Sequence, residues 1–329
     1  MDSSKQASSV THNATLKDFP PSSQTVIVFG ASGFLGSHVA DALSAAGYRV
    51  RLFDRSPSPF LKPGQEMITG DIMDIQQVID AAKGADVVYN FAAIADIDEA
   101  HNKPVETAAI NVLGNTHVLE AARLANARRF VFASSVYVYS ESGSFYRASK
   151  QASERFTETY YERYGLEYNI LRYGSLYGRR SDRRNGIYRM LHEAITHHSI
   201  TYKGSGNAMR EYIHVEDAAR MSVQILAPEF ANRHLILTGQ EKLRIRDVMT
   251  MISEIMPWPV ELRFDEASTV HHYEITPYAF QPRVGRKLVL NEHVDLGQGL
   301  LDCIREIHQV LEHADENDDA TPSTSDNRA

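Results

Sequence analysis

Gly30, Gly33 and Gly36 recur at three-residue spacing directly after the apolar, β-branched run Thr25–Phe29. That pattern fits a buried strand that turns sharply into a helix. Gly30 would make the turn, Gly33 would let the backbone approach a pyrophosphate, and Gly36 would let the helix lie close to the sheet. The helix start adds free N–H groups and a partial positive charge. Ser32, Phe34 and Leu35, between these glycines, are therefore expected at the phosphates.

Asp54 stands eighteen residues after Gly36, at the end of the next β-rich run. An acid there bonds the ribose hydroxyls of a dinucleotide and repels a 2′-phosphate, which favours NAD over NADP. Arg55 argues the other way, because arginine accepts that phosphate. Asp71 and Ile72 follow a third short run and are expected to bond and sandwich the adenine; the bland alternative is a turn with Asp71 near a helix cap.

Short apolar runs then alternate with helical patterns. Strands are expected at 49–53, 67–69, Val87–Asn90, 129–133 and 168–172, and helices at 33–46, Ile75–Ala82, 104–124 and 146–164. This order gives an α/β fold, a Rossmann-type doubly wound parallel sheet. A smaller mixed α/β substrate domain follows. The expected divisions are a disordered polar tail over 1–24, an NAD-binding domain over 25–172, a mainly substrate-binding domain over 173–313 and a disordered acidic tail over 314–329.

The 43% hydrophobic content can fill such a core, and no apolar run approaches the length of a membrane span. A net charge of −8 argues against nucleic-acid binding. The single cysteine, Cys303, excludes an internal disulfide and is expected to be a half-buried helix residue. No signal-type stretch opens the chain, so a cytoplasmic protein is expected.

Tyr146 and Lys150 form a YxxxK pair at the start of a helix, on one face. Tyrosine ordinarily titrates near pH 10; a nearby ammonium, together with a positively charged nicotinamide, favours the phenolate and makes a general base near neutral pH. Ser134 and Ser135 end the fifth strand, at the carboxyl edge where such sheets bind ligands, and a hydroxyl there can hold a reacting oxygen.

Taken together, GASGFLG, LFD, GDIMD, NFAAIAD, NVLGNTHVLEAAR, FASSVYVYS, YRASK, LRYGSLYG and REYIHVEDAA resemble the extended short-chain dehydrogenase/reductases. The branch is that of sugar-nucleotide epimerases and dehydratases, typified by UDP-glucose 4-epimerase. The resemblance implies Ser135, Tyr146 and Lys150 as catalytic residues, with Lys150 also holding the nicotinamide ribose. It implies that Phe91, Ala92 and Ala93 lie along the cofactor and that Tyr173 lies near the nicotinamide. Arg210 matches an arginine that grips the substrate diphosphate, Ser175 stands where the family often has asparagine, and Arg283 falls in a substrate-contacting stretch with Tyr273 and Tyr278. The implied assembly is a homodimer through the helices near 104–124 and 146–164.

Only ten residues separate Ser135 from Tyr146, a shorter segment than the family usually has. Ser140 replaces the glycine after Val138-Tyr139. Dehydratases of this branch carry Thr-Asp-Glu where this chain has Ser135-Val136-Tyr137. The expected activity is therefore epimerisation of a nucleotide sugar by transient oxidation at C4, with a 4-keto reductase or a dehydratase as alternative. A non-catalytic NAD(H)-sensing regulator is the alternative of another class. The basic run from Arg179 to Arg184 reads equally as a diphosphate clamp or a solvated loop. The pairs His197-His198 and His271-His272 are not expected to bind metal, and Trp258 is expected to serve packing.

Overall fold

A computed structural model describes residues 23–140, 142–265, 286–288 and 293–319. Arg283, Tyr273, Tyr278 and the His271-His272 pair lie outside the described residues, as do 1–22 and 320–329.

The first half follows the expected alternation. Its strands are β1 (Thr25–Phe29), β2 (Arg49–Asp54), β3 (Glu66–Thr69), β4 (Val87–Asn90), β5 (Arg129–Ser135) and β6 (Glu167–Tyr173). Its helices are α1 (Phe34–Ala45), α2 (Ile75–Ala82), α3 (Ile97–Asn102), α4 (Pro104–Thr107), α5 (Asn115–Leu124) and α6 (Ser144–Tyr164). The second half adds β7 (Ser175–Tyr177), α7 (Gly186–His197), β8 (Ser199–Lys203), β9 (Met209–His214), α8 (Val215–Gln224), β10 (Arg233–Leu237), β11 (Lys242–Arg244), α9 (Ile245–Ile255), β12 (Glu261–Asp265), β13 (Arg286–Leu288) and α10 (Leu296–Asp319).

The main sheet runs β3-β2-β1-β4-β5-β6-β10-β13, and all its pairings are parallel. Order reverses between β1 and β4. Their carboxyl ends therefore open a crevice there, the usual ligand position in such sheets. One face is covered by α1 and α8, where Val39, Leu43, Met221 and Ile225 meet Val26, Val28 and Leu52. The other is covered by α2 and α5, where Val78, Val118 and Leu119 meet Ile27, Phe29 and Phe130. A separate cluster unites α7, α9 and α10 through Leu191, Val248, Met249, Leu300 and Ile307. Cys303 belongs to it, and burial pushes its thiol up to about 12.

Three local features differ from the sequence expectation. The span 104–124 is not one regular helix: α4 passes through a π-helical turn (Ala108–Gly114) before α5. Helix α3 has a local cause the periodicity did not reveal, the Asp96 carboxylate accepting the Glu99 N–H at 2.7 Å. Helix α10 continues to Asp319, where an acidic tail was expected from 314; Ala314 and Glu316 are good helix formers. Return of some segments after 172 to the sheet is expected from the sequence, and β10 and β13 do so, building the large layer from both halves.

A Cβ on Gly36 would lie 2.2 Å from the Gly30 carbonyl oxygen. Gly36→Ala should therefore lower unfolding free energy by about 1–3 kcal/mol, the usual penalty of overpacking. Urea denaturation measures it; a variant as stable as wild type would contradict the close helix–turn contact.

Candidate active site

Gly30 adopts φ +78°, and a Cβ there would meet the Ala92 nitrogen at 2.4 Å. The turn after β1 is thus pressed against the chain leaving β4. Gly33 is exposed and caps α1 with no side chain; a Cβ there would meet only the Gly30 oxygen, at 3.3 Å. The α1 N-terminus is left open to a ligand beside half-buried Phe34 and Leu35. The Asp54 carboxylate accepts the Ser32 N–H at 2.9 Å and the Arg55 N–H at 2.7 Å. It stands at the rim of the glycine turn with lone pairs remaining. These residues fit the phosphates and ribose of a dinucleotide.

Asp71 accepts the Met73 N–H at 2.9 Å, the local turn its neighbours allow. Ile72 is buried and packs on Gly114. Phe91, Ala92 and Ala93 are half-buried at the crevice, with Phe91 stacked on Tyr89 at 6.0 Å. Tyr173 ends β6 beside Ser135, but its hydroxyl is held by Ser222 at 2.6 Å inside the core.

Ser135, Tyr146 and Lys150 come together and all three are buried. Ser135 lies close enough to the Tyr146 hydroxyl to favour its ionised form. Ser135 Oγ also accepts the Tyr137 N–H at 3.2 Å, which fixes its rotamer. Lys150 Nζ donates to the Ala133 carbonyl at 2.7 Å and lies 5.7 Å from the Tyr146 ring centre. Burial pushes the Tyr146 phenol up to about 12, against the lowering influence of Ser135. Burial likewise brings Lys150 down to about 8, opposed by Glu154. In the protein alone, without the positively charged nicotinamide that the sequence reading sets beside Lys150, desolvation of the phenol wins.

The described residues between Ser135 and Tyr146 begin with a one-turn helix, Val136–Tyr139. Gly143, at φ +101°, has no room for a Cβ because Tyr137 Cδ1 would lie at 2.8 Å. Arg147 ties α6 to the Ser140 carbonyl at 2.7 Å, and Gln151 to that of Val138 at 2.8 Å.

Among the substrate residues, Ser175 pairs with Tyr212 between β7 and β9, and Arg210 is buried on β9 opposite Leu243. The charge of Arg210 reaches the half-buried Tyr202 phenol, which burial raises and Arg210 lowers. In the run after β7 the arginines have partners of their own. Arg180 pairs with Asp41 at 2.7 Å and lies over the Phe60 ring, Arg184 pairs with Asp182, and Arg183 reaches His192. Trp258 donates to the Ala194 carbonyl and stacks on His198, as packing. Among the described residues no group of three His, Cys, Asp or Glu side chains could hold a metal ion.

Sequence reasoning missed Asn111, Glu154 and Arg172. Asn111 sits in the π-helical turn, bonds both backbone groups of Ile94, and donates to Ser149 at 2.9 Å. It staples the chain leaving β4 to α6. Glu154 and Arg172 form a buried pair behind Lys150 at 2.7 Å. Their signal was a carboxylate one turn beyond Lys150 and an arginine inside an otherwise apolar strand.

The sequence model of the NAD dependent epimerase/dehydratase family matches residues 26–236. A putative UDP-glucose 4-epimerase of Methanocaldococcus jannaschii is 31% identical over 272 residues, 76% of this chain and 88% of its own. A UDP-glucose 4-epimerase of Mycolicibacterium smegmatis is 27% identical over 264 residues, 72% and 84% of the two chains. The fold is shared with the Bacillus cereus UDP-glucuronic acid 4-epimerase solved with UDP-glucuronic acid and NAD. There the TM-score is 0.75 at 22% identity, over 87% of this chain and all of that one.

Buried Lys150 has a thermodynamic consequence. Its folded value, about 8, lies below its ordinary 10.5. Below pH 8 folding must bury a charged ammonium; between pH 8 and 10.5 only the unfolded chain keeps the proton, so stability from this group rises with pH. Lys150→Met should therefore stabilise the protein without added nucleotide by about 1–3 kcal/mol at pH 7, and less toward pH 10. Urea midpoints at both values decide it; equal or lower stability at pH 7 would contradict an unfavourable buried charge.

Proposed function

Because the chain belongs to the NAD dependent epimerase/dehydratase family, we propose that it epimerises a nucleotide-activated sugar through transient oxidation at C4 and re-reduction from the opposite face. The observation that carries this reading is the buried juxtaposition of Ser135, Tyr146 and Lys150 at the carboxyl edge of the sheet.

The backbone of Gly30, Gly33 and Gly36 would hold the pyrophosphate, Asp54 the adenosine ribose, and Phe91 to Ala93 the length of the cofactor. Asp71, Ile72 and Tyr173 are assigned to the same site, the last through its backbone and ring. The Asp54 carboxylate disfavours a 2′-phosphate, which supports NAD. When bound, NAD supplies the hydride acceptor and a positive ring. Tyr146 takes the sugar hydroxyl proton and later returns it, Ser135 holds the sugar oxygen, and Lys150 adds the charge that favours the phenolate. Arg210 would meet the diphosphate, with Ser175 and Arg283 as further substrate contacts. Epimerisation leaves no net redox change. A dehydratase would need an additional acid–base pair, and Val136 and Tyr137 supply no carboxylate. The single free cysteine suits a reducing compartment, and we assign the protein to the cytoplasm. Among the described residues no helix is long and apolar enough to cross a membrane.

Incubation with UDP-, GDP-, CDP- and dTDP-sugars, followed by NMR, should reveal one interconverting pair. Tyr146→Phe should fold and retain NAD while losing about 10²–10⁴ in turnover. Binding of NAD with no conversion in the panel, and no property altered by Tyr146→Phe, would replace this reading with the sensor.

We further infer a homodimer. Leu113 and Leu124 on the α5 side, and Phe145, Phe156 and Tyr164 on α6, expose apolar surface on adjacent helices. Each pair Leu113/Leu124 and Phe145/Phe156 spans about three helical turns, a stripe suited to twofold pairing. Phe156→Glu should shift the mass in light scattering from dimer to monomer. A wild type of 36.9 kDa at micromolar concentration would refute the assembly.

A further inference from the structure

Arg172 is fully buried on β6, opposite Ser134 of β5. Its Nε and Nη2 donate to the two oxygens of Glu154 on α6, at 2.9 and 2.7 Å. Its Nη1 donates to the Tyr139 hydroxyl at 2.5 Å, and its plane lies 4.7 Å from that ring. Tyr139 belongs to the one-turn helix directly after Ser135. Glu154 Oε1 also accepts the Ser134 hydroxyl at 2.6 Å. On the far side Nη2 meets His234 Nδ1 on β10 at 2.9 Å. A guanidinium only donates, so Nδ1 accepts; the imidazole proton is on Nε2, which faces Glu158 at 3.0 Å.

We propose that Arg172, clamping Glu154, Tyr139 and His234, is the positioning residue that holds Ser135 in register with the Tyr146–Lys150 face of α6. This deepens the epimerase reading and rests on it. The geometry gives the reason. Ser135 lies between Ser134 and the turn holding Tyr139, and both are tied to the one guanidinium–carboxylate pair. Tyr146 and Lys150 lie two turns and one turn before Glu154 on the same helix face. The clamp thus grips both sides of the short chain that joins the hydroxyl to the phenol. The bond between guanidinium and carboxylate is bidentate, which fixes angle as well as distance. Burial opposes charge on Arg172, while Glu154 and Tyr139 favour it. Loss of either charged partner would leave the other buried and unpaired, so the ion pair itself is a poor site for a test.

Tyr139→Phe and Ser134→Ala each remove one hydroxyl from the clamp and leave the ion pair whole. Each should lower kcat about 10- to 100-fold with KM changed less than about twofold, the signature of misplacement rather than lost binding. Ser134→Thr, which keeps the hydroxyl, should restore most of kcat. A second readout needs no substrate: in protein carrying 13C-labelled tyrosine, the Tyr146 resonance, identified by its loss in Tyr146→Phe, should shift in Tyr139→Phe and Ser134→Ala, while that of Tyr48 stays. Lowered thermal stability with kcat and the Tyr146 resonance both unmoved would make the clamp a brace of the fold only and overturn the proposal, as would either readout alone remaining at its wild-type value. If wild type converts no sugar nucleotide, the epimerase reading fails and the Tyr146 resonance decides the clamp by itself.

Discussion

The structure depends on a backbone contact that no side chain could share. The carbonyl of Gly30 fills the place a Cβ on Gly36 would occupy, and the Ala92 nitrogen fills the place of one on Gly30. Three segments, the turn after β1, the first turn of α1 and the chain leaving β4, are therefore pressed together at the point where strand order reverses. That closeness puts the start of α1 and the crevice at one locus. The parallel order on either side carries the other groups to the same edge, because every strand of the main sheet ends there. Ser135 and the end of β6 are in register across that edge.

Burial governs the chemistry of the constellation. In water, Tyr146 and Lys150 would differ little in affinity for a proton, with ordinary values of 10.0 and 10.5. In the fold desolvation drives them apart, the phenol to about 12 and the ammonium to about 8. Both shifts favour neutral groups. The protein by itself thus holds both groups toward their neutral forms, and on the proposed reading the positive ring of a bound NAD would favour the phenolate. Glu154 is the countercharge acting on Lys150, which links the lysine's protonation to the clamp behind it.

The alternation of apolar runs and helical patterns specified the sheet, since burial on both faces leaves near-continuous hydrophobic strands. The glycine turn, Asp54 and the YxxxK pair were legible because spacing alone fixes where such groups fall. What escaped were features set by contacts far apart in sequence. The π-helical turn arises where Asn111 is drawn to Ile94 and Ser149, and helical periodicity carries no trace of such a pull. Arg172 gave no local signal of its role, because its partners come from α6, β10 and the turn at Tyr139. The arginines after β7 read equally as a phosphate clamp or a loop, and only Asp41 on α1, with Glu306 of α10 accepting the Arg180 N–H, shows what holds them.

The short Ser135–Tyr146 segment now has a physical account. The one-turn helix at Val136–Tyr139 buries Val136, Val138 and Tyr139, and Gly143 is left-handed. Tyr137 packs its ring on Gly143 and meets Tyr146 edge-on at 6.2 Å, so an aromatic wall borders the base where the related dehydratases carry a carboxylate. An aromatic edge excludes water and holds a sugar face by contact, but it supplies no carboxylate to remove a proton from carbon. On the proposed reading the work then falls to the Ser135–Tyr146–Lys150 group, a single proton relay with a returned hydride, because Val136 and Tyr137 bring no carboxylate to the rim.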